Sequence, residues 1–102
     1  MNKEILKKAI AHYGTHNQML KCIEECGELS RAVSRILTEL SSGEGFTTNE
    51  SMANLQEELA DVTIMIEQML MMFNCEKDVN QYIAFKLNRL KERLENEQNI
   101  LG

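Results

Sequence analysis

Glu25 with Glu28 and Glu58 with Asp61 are two carboxylate pairs, the members of each lying three residues apart. On a helix that spacing puts both side chains on neighbouring positions of one surface, within reach of a shared ion. Carboxylates alone, with no His and no Cys among them, are hard oxygen donors that suit Mg²⁺ or Mn²⁺ rather than zinc or copper. Like charges gathered at a half-buried position repel one another and resist desolvation, a cost that bound cations remove. One such pair is commonplace on a solvated helix face; two at matched positions are a constellation. A third row, Lys86, Arg89 and Arg93, is cationic. A basic row beside an acidic metal cluster suits a polyphosphate, because metal ions take the oxygens near the reacting phosphorus while Lys and Arg neutralise the remainder.

These residues need helices to position them. The chain contains no proline, and its one stretch of loop composition runs from Ser41 to Thr48, so long helices with few breaks are predicted. Their expected spans are about Lys3 to His12, His16 to Leu40, Asn49 to Phe73 and Glu76 to Glu97. Thr15 with Gln18 and Thr47 with Glu50 fit the capping-box pattern, and Asn74 suits a turn or cap. On the second helix Cys22, Cys26, Leu29, Val33, Ile36 and Leu40 form an apolar stripe; on the third, Met52, Leu55, Leu59, Val62, Ile66, Met69 and Phe73 do the same. In both helices the carboxylate pair stands one residue before members of the stripe. Ile83, Leu87, Leu90 and Leu94 make the stripe of the fourth helix, and its basic row has the same offset. One residue is about 100° of rotation, so each charged row is expected at the shoulder of a buried face. Packed together, the helices would turn these shoulders toward one cleft. The predicted fold is an all-α four-helix bundle, a single domain spanning 1–102.

Bulk properties narrow the function. A chain of 102 residues supports one core. Its net charge of −5 argues against a general nucleic-acid binder. No apolar run is long enough for a membrane span or signal peptide, so no membrane partner and a cytoplasmic location are expected. The three cysteines are odd in number, and Cys22 and Cys26 lack zinc or redox spacing; they are expected as buried small residues. His12 and His16 flank a turn. Gly43 and Gly45 precede no Gly-Lys-Ser/Thr and form no phosphate loop. Gly27, costly inside a helix by about 1 kcal/mol, is expected to admit a neighbouring backbone or leave room at the site. Met65, Met69, Met71 and Met72 suit adaptable core or interface packing. The stripes offer more apolar face than one thin bundle covers, which predicts a homodimer or homotetramer.

The run Glu24-Glu25-Cys26-Gly27-Glu28-Leu29, followed by Glu57-Glu58-Leu59-Ala60-Asp61-Val62, resembles the E-E-x-x-E and E-x-x-D motifs of the MazG-like all-α nucleoside triphosphate pyrophosphohydrolases. The likeness extends from about Gln18 to Arg93. It implies that Glu25, Glu28, Glu58 and Asp61 bind Mg²⁺ and that a nucleoside triphosphate is split into monophosphate and pyrophosphate. It also implies phosphate contacts from Lys86 and Arg89, with Asn88, Gln18 and Lys21 as further candidates, and oligomers whose active sites lie near or across the subunit interface. Glu24 or Glu57, just off the ligand line, are candidates to orient or deprotonate the attacking water. The segment between the motifs is long for the family, and the nucleobase contacts do not transfer from them. The alternative is a non-enzymatic helical interaction module whose acids serve solubility or pair with the basic row, and which has no metal dependence. A di-iron carboxylate bundle would need Glu-x-x-His motifs that these helices lack.

Overall fold

The computed structural model describes residues 1–43 and 45–101. Four α-helices follow one another: α1 (Lys3–Tyr13), α2 (Thr15–Ser41), α3 (Asn49–Met72) and α4 (Glu76–Leu101). The expected boundaries hold within a residue or so except at the end of α4, which continues beyond Glu97. Glu44, in the expected loop, lies outside the described residues.

The caps differ from the expectation. Asn2 caps α1, its side chain accepting from the N–H groups of Glu4 and Ile5. Gly14, at φ 88°, then turns the chain: its N–H donates to Ile10 O at 2.9 Å and its carbonyl accepts from Gln18 N at 3.1 Å. A positive φ of this kind favours glycine. The cap position of α2 therefore belongs to Gly14, Thr15 is already helical, and the Thr15–Gln18 capping box does not form. At α3 the cap is Thr48, whose Oγ1 accepts from Ser51 N at 3.1 Å. Thr47 turns back toward α2 instead and donates to Glu39 Oε1 at 2.7 Å.

Glu39 ties the end of α2 to the start of α3. It also accepts from Ser51 Oγ at 2.7 Å and from Thr48 N at 3.3 Å. Arg35 bridges Glu39 at 3.8 Å and Glu50 at 3.7 Å. These donors hold the Glu39 carboxyl below the usual range, the Thr47 hydroxyl contributing most and Ser51 next. At the far end of α3, Asn74 adopts φ 47° and Cys75 N donates to Leu70 O at 3.2 Å, closing the helix before α4 departs.

α2 and α3 form an antiparallel hairpin, Glu39 meeting Ser51 at one end while Glu25 approaches Glu58 and Asp61 further along. α1 packs across the other end, burying Leu6. On α2 the buried residues Gln18, Glu25 and Ala32 recur every seven positions, and on α3 Ser51, Val62, Met65 and Gln68 are buried. This seven-residue spacing is that of two helices packed along a shared line. The line runs through Glu25, whereas Val33 and Leu40 on α2 and Leu59, Ile66 and Phe73 on α3 stay exposed. Glu25 thus occupies the packed face itself, which corrects the shoulder position expected for it, while Glu58 and Glu28 are half-buried and Asp61 is exposed. Hydrophobic periodicity shows which side of a helix is apolar; it does not show which surface covers that side.

α4 projects from this hairpin. Among its described side chains only Val79 is half-buried; Ile83, Leu87, Leu90 and Leu94 are 45–61% exposed. The radius of gyration is 18.0 Å, against about 13 Å for a compact chain of this length. The four helices are present, but within one chain the basic row of α4 does not turn toward the cleft. Cys22 and Cys75 are half-buried and Cys26 exposed, so none is a fully buried core residue. A Cβ at Gly27 would meet nothing within 4 Å, so no backbone of the same chain approaches it.

Candidate metal centre

Glu25 from α2 and Glu58 and Asp61 from α3 converge, each offering one carboxylate oxygen within 4.8 Å of the others. The hairpin brings them together through the same residue spacing that builds its packed line. Glu25 is buried, Glu58 half-buried and Asp61 exposed, so the cluster opens from the helix interface to the surface. Burial pushes the Glu58 carboxyl above its usual range, and neighbouring Glu25 adds to the effect, with smaller contributions from Asp61 and Glu28. Asp61 is raised as well, again by burial first and Glu25 second, with Lys21 opposing. Glu58 Oε2 is buried and has no hydrogen-bond partner. Folded proteins rarely leave such an atom unpaired, and a carboxylate oxygen so placed is suited to a cation. Three carboxylates and an orphaned oxygen fit a hard divalent cation.

Glu28 stands at the edge of the cluster. It is near enough to raise Glu58, yet its carboxylate pairs with Arg31 on the next turn and does not join the other three. Lys21 Nζ lies 3.2 Å from Glu25 Oε1 and 3.7 Å from Glu24 Oε2, which holds its ammonium above the usual range, Glu25 contributing most. Glu24 and Glu57 are exposed. Gln18 is buried and lines a cavity beside the triad.

Lys86, Arg89 and Arg93 border a shallow hollow on α4 itself, with Leu90, and none of them lines the cavity beside the triad. Arg89 lies 5.9 Å over the ring of Phe85, and Asn88 Nδ2 donates to Glu92 Oε1 at 3.3 Å. These contacts keep the α4 groups on their own helix.

The cavity, of about 540 Å³, opens between α1, α2 and α3, and Glu25 and Asp61 stand on its wall. Sequence reasoning named Gln18, Lys21, Glu25 and Asp61 of its lining as site residues and missed the others, among them Tyr13, Asn17 and Gln68. Gln68 stands as a single carboxamide within the run Met65-Ile66-Glu67-Gln68-Met69-Leu70-Met71-Met72, and nothing in that run marks it as buried.

Residues 14–95, which carry the triad, match the family of the MazG nucleotide pyrophosphohydrolase domain. The chain belongs to this family. Comparison with curated proteins and with solved structures yields no match. The match spans α2, α3 and most of α4, and it bears out the all-α, four-helix MazG-like fold expected from the motifs. Together, the MazG family and the acidic triad support an activity of the pyrophosphohydrolase type. Among the described residues of this MazG domain, no helix is long and apolar enough to cross a membrane.

Proposed function

We propose that this chain is a Mg²⁺-dependent pyrophosphohydrolase that converts a nucleoside triphosphate to the monophosphate and pyrophosphate, as a single MazG-like domain across residues 1–102. The observation that carries the proposal is the convergence of Glu25, Glu58 and Asp61 with a buried, unpartnered Glu58 oxygen. These three carboxylates would hold one or two Mg²⁺ ions, Mn²⁺ being an alternative of similar chemistry. Glu28 joins them once it leaves Arg31. The bound ion supplies Lewis acidity toward phosphate oxygens and makes a nearby water more acidic.

The chain's own residues do the rest. An oxygen of water joins phosphorus, the bridging P–O bond between the α and β phosphates breaks, and pyrophosphate leaves with that bridging oxygen. Glu24 or Glu57 orients the water and takes its proton. Lys21, one turn from Glu25, passes from the carboxylate to a phosphate oxygen as substrate enters, and Gln18 lies on the same line of α2. Lys86 and Arg89 neutralise the remaining phosphate charge. Their exposure on a projecting α4, with its own apolar stripe and Val33, Leu40, Leu59, Ile66 and Phe73 of the other stripes also exposed, supports a homodimer or homotetramer in which a neighbouring copy covers α4. The negative net charge of the chain supports a small-molecule substrate in place of nucleic acid.

A panel of ribo-, deoxyribo- and modified nucleoside triphosphates, scored for Mg²⁺-dependent pyrophosphate release, tests the proposal. At least one should be hydrolysed by the wild type and none by Glu58→Ala. Silence across the panel would favour the non-enzymatic interaction module.

A further inference from the structure

The triad occupies only one end of the cavity. Along α2 the lining passes from Glu25 through Lys21 to Gln18, and along α3 from Asp61 through Ile64 and Met65 to Gln68. Seven residues of helix separate the two ends on each side, about 10 Å along the axis. That distance is of the order separating the reacting phosphates of an extended nucleotide from the far edge of its base. Lys21 stands between, where phosphate or sugar would lie.

The distal end has a different chemistry from the triad. Its walls are Ala9, Ile64, Met65 and the ring of Tyr13, and the acids are at the other end. Flat apolar surface with an aromatic side chain favours a neutral aromatic ring, and Tyr13, 57% exposed, offers such a face. Three carboxamides interrupt this lining, Asn17, Gln18 and Gln68, and Asn17 already donates its Nδ2 to Tyr13 O at 2.8 Å. Gln68 is 4% and Gln18 8% exposed, and Gln68 Oε1 is buried without a hydrogen-bond partner. An apolar side chain would serve a packing role there with no polar group left unpaired. A carboxamide presents a donor and an acceptor side by side, the pattern that meets the adjacent donor and acceptor of a purine or pyrimidine edge.

We propose that this cavity is a nucleobase subsite in which Gln68, together with Gln18, reads the edge of the base, so that Gln68 determines specificity among nucleotides. The proposal rests on the pyrophosphohydrolase reading for the presence of a nucleotide, and it adds the location and the reader of the base. A site with a buried hydrogen-bonding group rejects ligands that leave the group unpaired more strongly than an apolar pocket rejects an extra atom.

The test uses the full chain labelled with ¹⁵N and follows the side-chain amide signals of Gln18 and Gln68. The probes are the four 2′-deoxynucleoside 5′-monophosphates and, as the base-free control, 2-deoxyribose 5-phosphate, all in the presence of Mg²⁺. The expected result is that at least one monophosphate moves the Gln68 signals, the sugar phosphate does not, and affinities differ among the bases. In Gln68→Met the ratio of best to worst affinity should shrink by about tenfold or more. Gln68 signals unmoved by every monophosphate, wild-type affinities equal for the sugar phosphate and the monophosphates, or a ratio unchanged in Gln68→Met would overturn the proposal. The wild-type spectra decide the matter even where the variant folds poorly. Parallel triphosphate hydrolysis separates the two readings: base-dependent shifts at Gln68 without hydrolysis sink the enzymatic reading and leave the subsite, whereas hydrolysis with Gln68 indifferent to the base does the reverse.

Discussion

Glu58 shows how one side chain couples fold to function. Its carboxylate lies in the α2–α3 interface beside Glu25 and Asp61, and one oxygen is sealed from solvent without a partner. An amide of the same shape carries no charge to repel those neighbours. Glu58→Gln should therefore melt at or above the wild type without metal, while pyrophosphate release falls by about 100-fold or more; thermal melts and steady-state rates check both. Lys21 predicts a split of another kind. It pairs with Glu25 when no ion is present, so Lys21→Ala should bind Mg²⁺ at lower concentration, while KM for the triphosphate rises by roughly tenfold through the lost phosphate contact. At this scale the motifs were informative: the spacing of Glu25, Glu58 and Asp61 was enough to predict that they meet. Glu28 was less legible, because its pairing with Arg31 depends on side-chain rotamers that spacing does not fix. Gln68 was illegible as a site residue because one carboxamide on a helix gives no sign of being buried or of facing a cavity.

At the scale of elements, the turn between α2 and α3 sets the register that brings the carboxylates together. Thr48 caps α3, and Thr48→Ala should lower stability by about 1 kcal/mol in urea denaturation. Glu39 adds a pH-dependent part. Its folded carboxyl titrates below the ordinary value of 4.5, so its contribution is complete above that value and disappears as pH falls through the depressed one. Arg35 on its own helix and Glu50 on α3 are the charged groups beside it. Glu39→Gln should be less stable than the wild type near neutral pH, with the difference shrinking in acid; urea denaturation across pH measures this. Sequence patterning located all four helices, but it assigned the caps one residue away at Thr15 and Thr47. The deciding factors were Gly14 at positive φ and the reach of Thr47 to Glu39, eight residues back.

For the whole molecule, the exposed apolar residues are as informative as the core. Val33, Leu40, Leu59, Ile66, Leu87 and Leu90 belong to well-formed stripes that one chain leaves uncovered, and uncovered stripes of this extent mark contact surfaces. The stripes were visible in the sequence; that the packed line would pass through Glu25 and leave much of the stripes exposed was not, because which face a thin hairpin buries depends on assembly. Leu87→Asp with Leu90→Asp should shift sedimentation from oligomer to monomer. If a neighbouring copy brings its α4 to the triad, mixing inactive Glu58→Ala with a weakened Lys86→Ala/Arg89→Ala chain should restore part of the activity after subunit exchange. Activity no greater than the sum of the separate variants would place Lys86 and Arg89 outside a shared site. The enzymatic expectations depend on a cation at Glu25, Glu58 and Asp61, and thermal denaturation with increasing Mg²⁺ or Mn²⁺ tests that most directly. A ligand at 100 times its Kd adds about 2.7 kcal/mol to folding stability. The wild type should therefore melt at progressively higher temperature as metal is added, and Asp61→Ala should show no such rise; a wild type whose melting is indifferent to both metals would contradict the assignment.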